Sequence, residues 1–181
     1  MKKTPWHRSI PVALGFGGLA LVCVLLLHIW EVYALGPYKP DSLDLQFIFG
    51  EFQVQDMLKT WTPSDISFLK TTLLLDVVLI ASYSIALWIT IQNFIQCGRI
   101  TTSKLYWLPC LTAAFDLSEN LMEYLLLSGH TALAVFATTL SVAKWLSLWA
   151  CFGIVIGARL QTPAALKVAL ASPSGASQHA S

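Results

Sequence analysis

Four stretches of this chain are each about as long as the hydrocarbon core of a bilayer is thick when wound as helix, and that bounds every fold open to it. A crossing helix needs about 20 apolar residues to span roughly 30 Å, and only helices or closed barrels satisfy their backbone there. The first stretch runs from Ile10 to about Trp30 with no formal charge. The second runs from about Thr72 to Ile95, interrupted only by Asp76, and the fourth from about Thr131 to Gly157, with Lys144 inside it. The third, about Leu105 to Leu127, carries Asp116, Glu119 and Glu123, which a plain hydropathy reading counts against it. Barrel strands would alternate apolar and polar residues over about ten positions, and these runs do not. With 56% of 181 residues hydrophobic and 12% charged, against roughly a quarter charged in a soluble domain, the composition agrees. The expected fold is all-α: an integral membrane four-helix bundle over residues 1–160, with a short extramembrane helical segment in the loop 31–71 between spans one and two. Residues 161–181, rich in Ala, Ser and Pro, are expected to form a disordered cytoplasmic tail.

Orientation follows from lysine and arginine near the span ends, because such loops stay in the cytoplasm. Lys2, Lys3, Arg8, Arg99, Lys104, Arg159 and Lys167 share one side of a four-span arrangement. Lys39, Lys59 and Lys70 share the other, where Glu31, Asp41, Asp44, Glu51, Asp56 and Asp65 offset them. The expected location is the bacterial inner membrane, multi-pass, with both termini cytoplasmic. A cleaved signal peptide ending at Val32-Tyr33-Ala34 is the rival reading of the first span. An apolar run near 20 residues exceeds the 7–15 of a typical signal core, so an anchor is preferred.

The loop after span one is too long for a simple connector. Gly36-Pro37 and Lys39-Pro40 mark turns, and Phe47, Phe49, Phe52, Val54, Met57, Leu58 and Trp61 supply apolar surface among polar residues. This pattern predicts a short helix on the membrane surface or capping the bundle, although Leu45-Phe47-Phe49 also alternates like a strand. Thr62-Pro63-Ser64-Asp65 has the makings of a helix start. The net charge of +1 and the lack of any arginine-rich stretch exclude nucleic acid as a partner. Cys23, Cys97, Cys110 and Cys151 have neither the C-x-x-C spacing nor the setting of a disulfide framework or zinc ribbon.

The third span reads Asp116-Leu-Ser-Glu119-Asn120-Leu-Met-Glu123. At 100° per residue, the side chains of this D-x-x-E-N-x-x-E pattern fall within about 100° of arc, on one helix face. An ionisable group at mid-bilayer costs at least about 2.5–3.5 kcal/mol, so the acids have to point inward and be protonated, paired or cation-bound. Spans three and four are joined by the short turn Ser128-Gly129-His130. Counting back from that turn puts Lys144 nearly level with Asp116 and one turn from Glu119. Asp76 falls near the level of Glu123, Tyr83 lies two turns deeper on the same face, and His28 with Glu31 forms a rim at the end of span one. The candidate ligand- or ion-binding residues are therefore Asp76, Tyr83, Asp116, Glu119, Asn120, Glu123 and Lys144. A purely structural network would hydrogen-bond the helices at about 0.6–2 kcal/mol per bond, yet one lysine leaves the acids in surplus. Transition-metal sites want more histidine than His28 and His130 offer, so no metal is assigned. Gly153-Ile-Val-Ile-Gly157 is at most a close-packing face. No nucleophile triad, phosphate loop or nucleotide fingerprint is present, so no catalytic residue or cofactor is assigned.

The segment Trp61 to Tyr83, with Leu75-Asp76 opening span two, and Leu108-Pro109 followed by Ala113-Ala114-Phe115-Asp116-Leu-Ser-Glu119-Asn120 resemble a family of uncharacterised small bacterial membrane proteins with four predicted spans. The resemblance covers spans two and three. It implies a four-span bundle, singles out Asp76, Asp116, Glu119 and Asn120, and brings no activity. The chain departs from that family at Leu79-Ile80, where phenylalanine-proline is usual, and so lacks the kink that proline would give.

Three functions are expected in order. The first is a transport or binding role, in which an acidic pocket in the outer half of the bundle takes a proton, a cation or an amphipathic cationic ligand. The second is an enzyme acting on a lipid or isoprenoid with buried carboxylates as proton donor and carbocation stabiliser. The third is a non-catalytic subunit that docks a membrane protein partner through Phe47, Phe52 and Trp61. Membrane lipid is a partner in all three.

Overall fold

The computed structural model describes residues 6–36, 39–40, 42–48 and 50–160. The expected tail at 161–181 lies outside them, as do Lys2, Lys3, Asp41 and Phe49. Among the described residues there are six α-helices, two 3₁₀ turns and no strand. The α-helices are α1 (Trp6–Leu35), α2 (Ser42–Gln46), α3 (Glu51–Thr60), α4 (Pro63–Gln96), α5 (Leu108–Leu127) and α6 (Ala134–Leu160); the 3₁₀ turns are Ser103–Trp107 and Thr131–Leu133, leading into α5 and α6. The helices α1 and α4 contain their expected spans and run beyond them, whereas α5 and α6 begin three residues inside theirs, because the chain enters each through a 3₁₀ turn. The strand-like alternation at Leu45 and Phe47 gives way to the single helical turn of α2, whose buried Leu45 joins the core.

Three segments are long and apolar enough to cross a membrane: Ile10–Leu35, Pro63–Gln96 and Thr131–Leu160. The helix α5 is not among them, because Asp116, Glu119 and Glu123 fall within its 20 residues. The apolar surface of α1 is almost wholly uncovered, with Leu14, Leu21, Leu26 and Ile29 all exposed. An exposed apolar area of that extent calls for a lipid solvent or a partner rather than water.

Local chemistry sets the helix ends. Thr62 caps α4 through a reciprocal box: its hydroxyl accepts from the Asp65 N–H at 3.2 Å, and the Thr62 N–H donates to the Asp65 carboxylate at 2.7 Å. Lys39 adds an ion pair to Asp65 at 2.6 Å, tying the end of the loop to the start of α4. Gly129, at φ 96°, closes α5 as the left-handed residue beyond its C-cap. Its N–H donates to the Leu126 carbonyl at 2.9 Å and the His130 N–H to Leu125 at 3.0 Å, so the chain reverses within three residues.

The long helices run antiparallel in sequence order, α1 on α4, α4 on α5 and α5 on α6. The helix α1 packs chiefly on α4, with no comparable seam against α5 or α6. Two apolar clusters stabilise the stack. At the end covered by α2 and α3, Leu45, Val54, Met57, Trp61, Leu69 and Leu126 come together with neighbours from α5 and α6. At the other end, Leu87, Ile91, Phe94, Ile100, Cys151 and Ala158 pack together. There the Arg99 guanidinium donates to the Ala158 and Arg159 carbonyls at 3.4 and 3.3 Å, meeting the acceptors at the end of α6.

Residues 42–48 and 50–60 form a cap rather than a detached surface helix. Val54 and Met57 of α3 are buried, Gln55 donates to the Thr131 hydroxyl at 3.3 Å, and Thr131 donates to Glu51 at 3.0 Å. Thr138 of α6 donates to the Ile48 carbonyl, pinning the α2–α3 link. Trp61, expected on a docking surface, is instead buried, with its indole N–H bonded to the Pro40 carbonyl at 3.1 Å. An indole offers both apolar area and one donor, and this site uses both. Phe47 and Phe52 do remain exposed. Gly153 and Gly157 make no close-packing face among the described residues, since nothing lies within 4 Å of a Cβ added at either.

Candidate functional site

Between the two apolar clusters lies a polar layer built from stripes on three helices. On α5, Thr112, Asp116, Glu119 and Glu123 recur at spacings of four, three and four, which holds them on one face. On α6, Thr138, Ser141, Lys144 and Ser147 recur every third residue, and all four are buried. Asp76 and Tyr83, seven apart on α4, face the α5 stripe. The seven residues named from the sequence therefore come together in one layer.

The layer divides into two halves. In the first, the Lys144 ammonium bridges two carboxylates, 3.1 Å from Asp116 Oδ1 and 2.5 Å from Glu119 Oε2. Neither of those oxygens has another hydrogen-bond donor. The Tyr83 hydroxyl donates to Asp116 Oδ2 at 2.6 Å, and Ser141 donates to Glu119 Oε1 at 2.6 Å. Lys144 completes its shell with the Gln46 side-chain oxygen at 3.4 Å and the face of Trp145, whose ring centroid is 5.6 Å away. Glu119 is 0% exposed, Asp116 5% and Lys144 6%, so these charges meet in a dry interior. Such a pair survives only because geometry and further hydrogen bonds offset its desolvation.

The second half has acids and no base. Asp76 Oδ2 accepts from the Asn120 amide at 2.7 Å. One turn along α5, Glu123 is 1% exposed, and its Oε1 has no hydrogen-bond partner. Among the described residues, neither Asp76 nor Glu123 has a lysine, arginine or histidine within ion-pair distance. Lys70, the nearest base along α4, instead stands over the Tyr124 ring at 4.9 Å. A cavity of about 60 Å³ lies against these acids, with Glu31, Gln46, Thr72, Asp76 and Glu123 as its polar walls.

Of the rim expected at the end of span one, Glu31 is buried and reaches the cavity, whereas His28 is exposed. His130 is exposed as well. Among the described residues, no group of three or more His, Cys, Asp and Glu side chains is arranged to hold a metal ion. Gln46 and Ser141 belong to the site and were not named from the sequence. Ser141 had a signal, the every-third-residue polar stripe of α6; Gln46 had none, because its place depends on how α2 settles between the helices. No family model, curated protein or solved structure matches this chain, so its own geometry carries the functional reading.

Proposed function

We propose that this chain is a four-span protein of the bacterial inner membrane, with both termini cytoplasmic, whose intramembrane acidic pocket binds a proton, a cation or a cationic amphipathic group from the outer side. The observation that carries this reading is the imbalance of the polar layer. Lys144 is committed to Asp116 and Glu119, while Asp76 and buried Glu123 have no cationic partner within ion-pair distance among the described residues. A purely structural network has no reason to keep surplus acids where each uncompensated charge costs several kcal/mol. A bound positive species removes that cost, and its release restores it, as a binding or transport cycle requires. Treating α5 as a fourth span fits the same logic, because its acids face α4 and α6 while Leu117, Leu121 and Tyr124 face outward. The resemblance to a small four-span bacterial family points to Asp76, Asp116, Glu119 and Asn120, which all lie in this layer.

The test is mass spectrometry of the small molecules and lipids that co-purify with the wild-type protein and with Asp76→Asn. A bound, chemically unaltered cation or lipid, depleted in the variant, supports the reading. A chemically altered lipid produced on incubation overturns it in favour of a lipid-modifying enzyme. A stoichiometric protein partner with no bound small molecule overturns it in favour of a partner subunit.

A further inference from the structure

We infer that the cavity walled by Glu31, Gln46, Thr72, Asp76 and Glu123 is a seat for a primary ammonium group, supplied by a free amine or by an aminolipid headgroup. The inference rests on the acidic-pocket reading above and narrows its ligand to one chemistry. Its strongest support is Glu123 Oε1, an acceptor on a residue 1% exposed that reaches the cavity wall and has no hydrogen-bond partner. Leaving such an acceptor unmet is costly, and meeting it with a charged donor is correspondingly favourable.

The wall chemistry selects the donor. The carboxylates of Asp76 and Glu123 and the Thr72 hydroxyl supply acceptors, while the Gln46 amide oxygen is already met by Lys144. The Thr72 proton is already given to the Leu69 carbonyl at 2.7 Å, so its hydroxyl is left with only acceptor capacity. An alkylammonium presents three N–H donors, which can bridge acceptors set on different helices. A quaternary ammonium has no N–H to offer and is usually held by aromatic faces, yet no aromatic residue lines this cavity. A metal ion is usually held by several side chains converging at short range, and the described residues hold no group of three or more His, Cys, Asp and Glu side chains so arranged. The volume of about 60 Å³ is about twice the roughly 30 Å³ that one water takes up in the liquid, which suits an ammonium group with a short stem and nothing bulkier.

The position of the cavity suits both sources. It is walled by α1, α2, α4 and α5, and α1 packs on α4 without a comparable seam against α5, so the cavity sits where the helices are least closed. An aminolipid headgroup would enter along that seam, and a free amine from beside the α2 cap.

The full-length protein in phosphatidylcholine nanodiscs is heated in ethylammonium, tetramethylammonium or sodium chloride at equal ionic strength, and again in discs containing phosphatidylethanolamine. Ethylammonium is expected to raise the unfolding midpoint saturably, with the other two cations without effect. Glu123→Gln is expected to weaken that response by roughly tenfold or more, as the loss of one charge-assisted bond implies. A midpoint already raised in phosphatidylethanolamine discs, with no further response to ethylammonium, assigns the lipid as source; a response unchanged between discs assigns the free amine. Sodium or tetramethylammonium acting as well as ethylammonium overturns the ammonium assignment while leaving a general cation pocket standing. No stabilisation by any cation in either disc overturns the ammonium assignment and leaves the proton as the species that the acidic pocket binds. Should Glu123→Gln fail to fold, Asp76→Asn replaces it, and the selectivity among the three cations in the wild-type protein decides the matter by itself.

Discussion

Lys144 holds the base-containing half of the polar layer together, and its neighbours determine what its loss does. Lys144→Met keeps the apolar stem but leaves Asp116 and Glu119 facing each other across the space the ammonium filled. Breaking a buried pair this way typically costs about 3–5 kcal/mol, so unfolding in mixed micelles should start at clearly lower denaturant. Because the ammonium bridges both acids, neutralising one should recover only part of the loss. The triple variant Lys144→Met, Asp116→Asn, Glu119→Gln should recover most of it, since replacing all members of a buried ionic group is often near neutral. A Lys144→Met protein as stable as wild type would show that the lysine does not hold the acids together. This pair was legible in the sequence because the turn at Ser128-Gly129-His130 is short, so counting residues from it gives depth in both α5 and α6. The Glu119–Ser141 bond was less legible, since a serine in an apolar helix can satisfy itself on its own backbone; Ser141 also donates to the Ala137 carbonyl at 3.1 Å.

Among the elements, α4 and α2 mark the limits of local sequence information. The start of α4 is written in four consecutive residues, Thr62 to Asp65, because a capping box needs only its own turn and a proline suited to the first helical position. Thr62→Ala should cost about 1 kcal/mol, read as a lower unfolding midpoint together with faster amide hydrogen exchange confined to the first turn of α4. Exchange spread over the whole helix would instead mean that the cap stabilises the entire stack. The five residues of α2 are too few to fold alone. Leu45 is buried, Gln46 reaches Lys144 and the Ile48 carbonyl accepts from Thr138, so partners about a hundred residues away decide its conformation. That dependence explains why alternation at Leu45 and Phe47 misleads, and why Trp61, apolar and beside a polar loop, turns inward instead of outward. The end of α5 at Leu127 was legible and its start at Leu108 was not, because a 3₁₀ turn precedes it; its status as a span was not fixed by hydropathy either, because the acids that make it less apolar are the same ones that bind it to α4 and α6.

At the scale of the whole molecule, the question is whether α5 crosses the membrane with the three apolar helices, and sidedness answers it by parity. If α1, α4, α5 and α6 all cross, the cap at 42–60 and the turn at Ser128-Gly129 share one side, with Cys97 on the other. If α5 does not cross, Ser128 joins Cys97. Single-cysteine variants separate these cases: replacing Cys23, Cys110 and Cys151 by alanine leaves Cys97 alone, and Cys97 is replaced as well where Asp44→Cys or Ser128→Cys is introduced. Asp44 and Ser128 are both exposed, so a cysteine at either position is reachable by a membrane-impermeant maleimide. In the proposed orientation, Arg99, Lys104 and Arg159 lie with Cys97 on the cytoplasmic side. In intact cells, Asp44→Cys and Ser128→Cys should therefore be modified from outside and Cys97 spared until the membrane is opened. Modification of Cys97 in intact cells would invert the orientation. Protection of Ser128→Cys alongside labelling of Asp44→Cys would leave α5 on the cytoplasmic side, and its acids could not then line an intramembrane pocket. The physical case favours crossing: α5 is antiparallel to α6 through a three-residue turn, and its ion pair and hydrogen bonds are made midway along α4 and α6. A helix lying flat at the surface could not reach those partners while α4 and α6 span the bilayer.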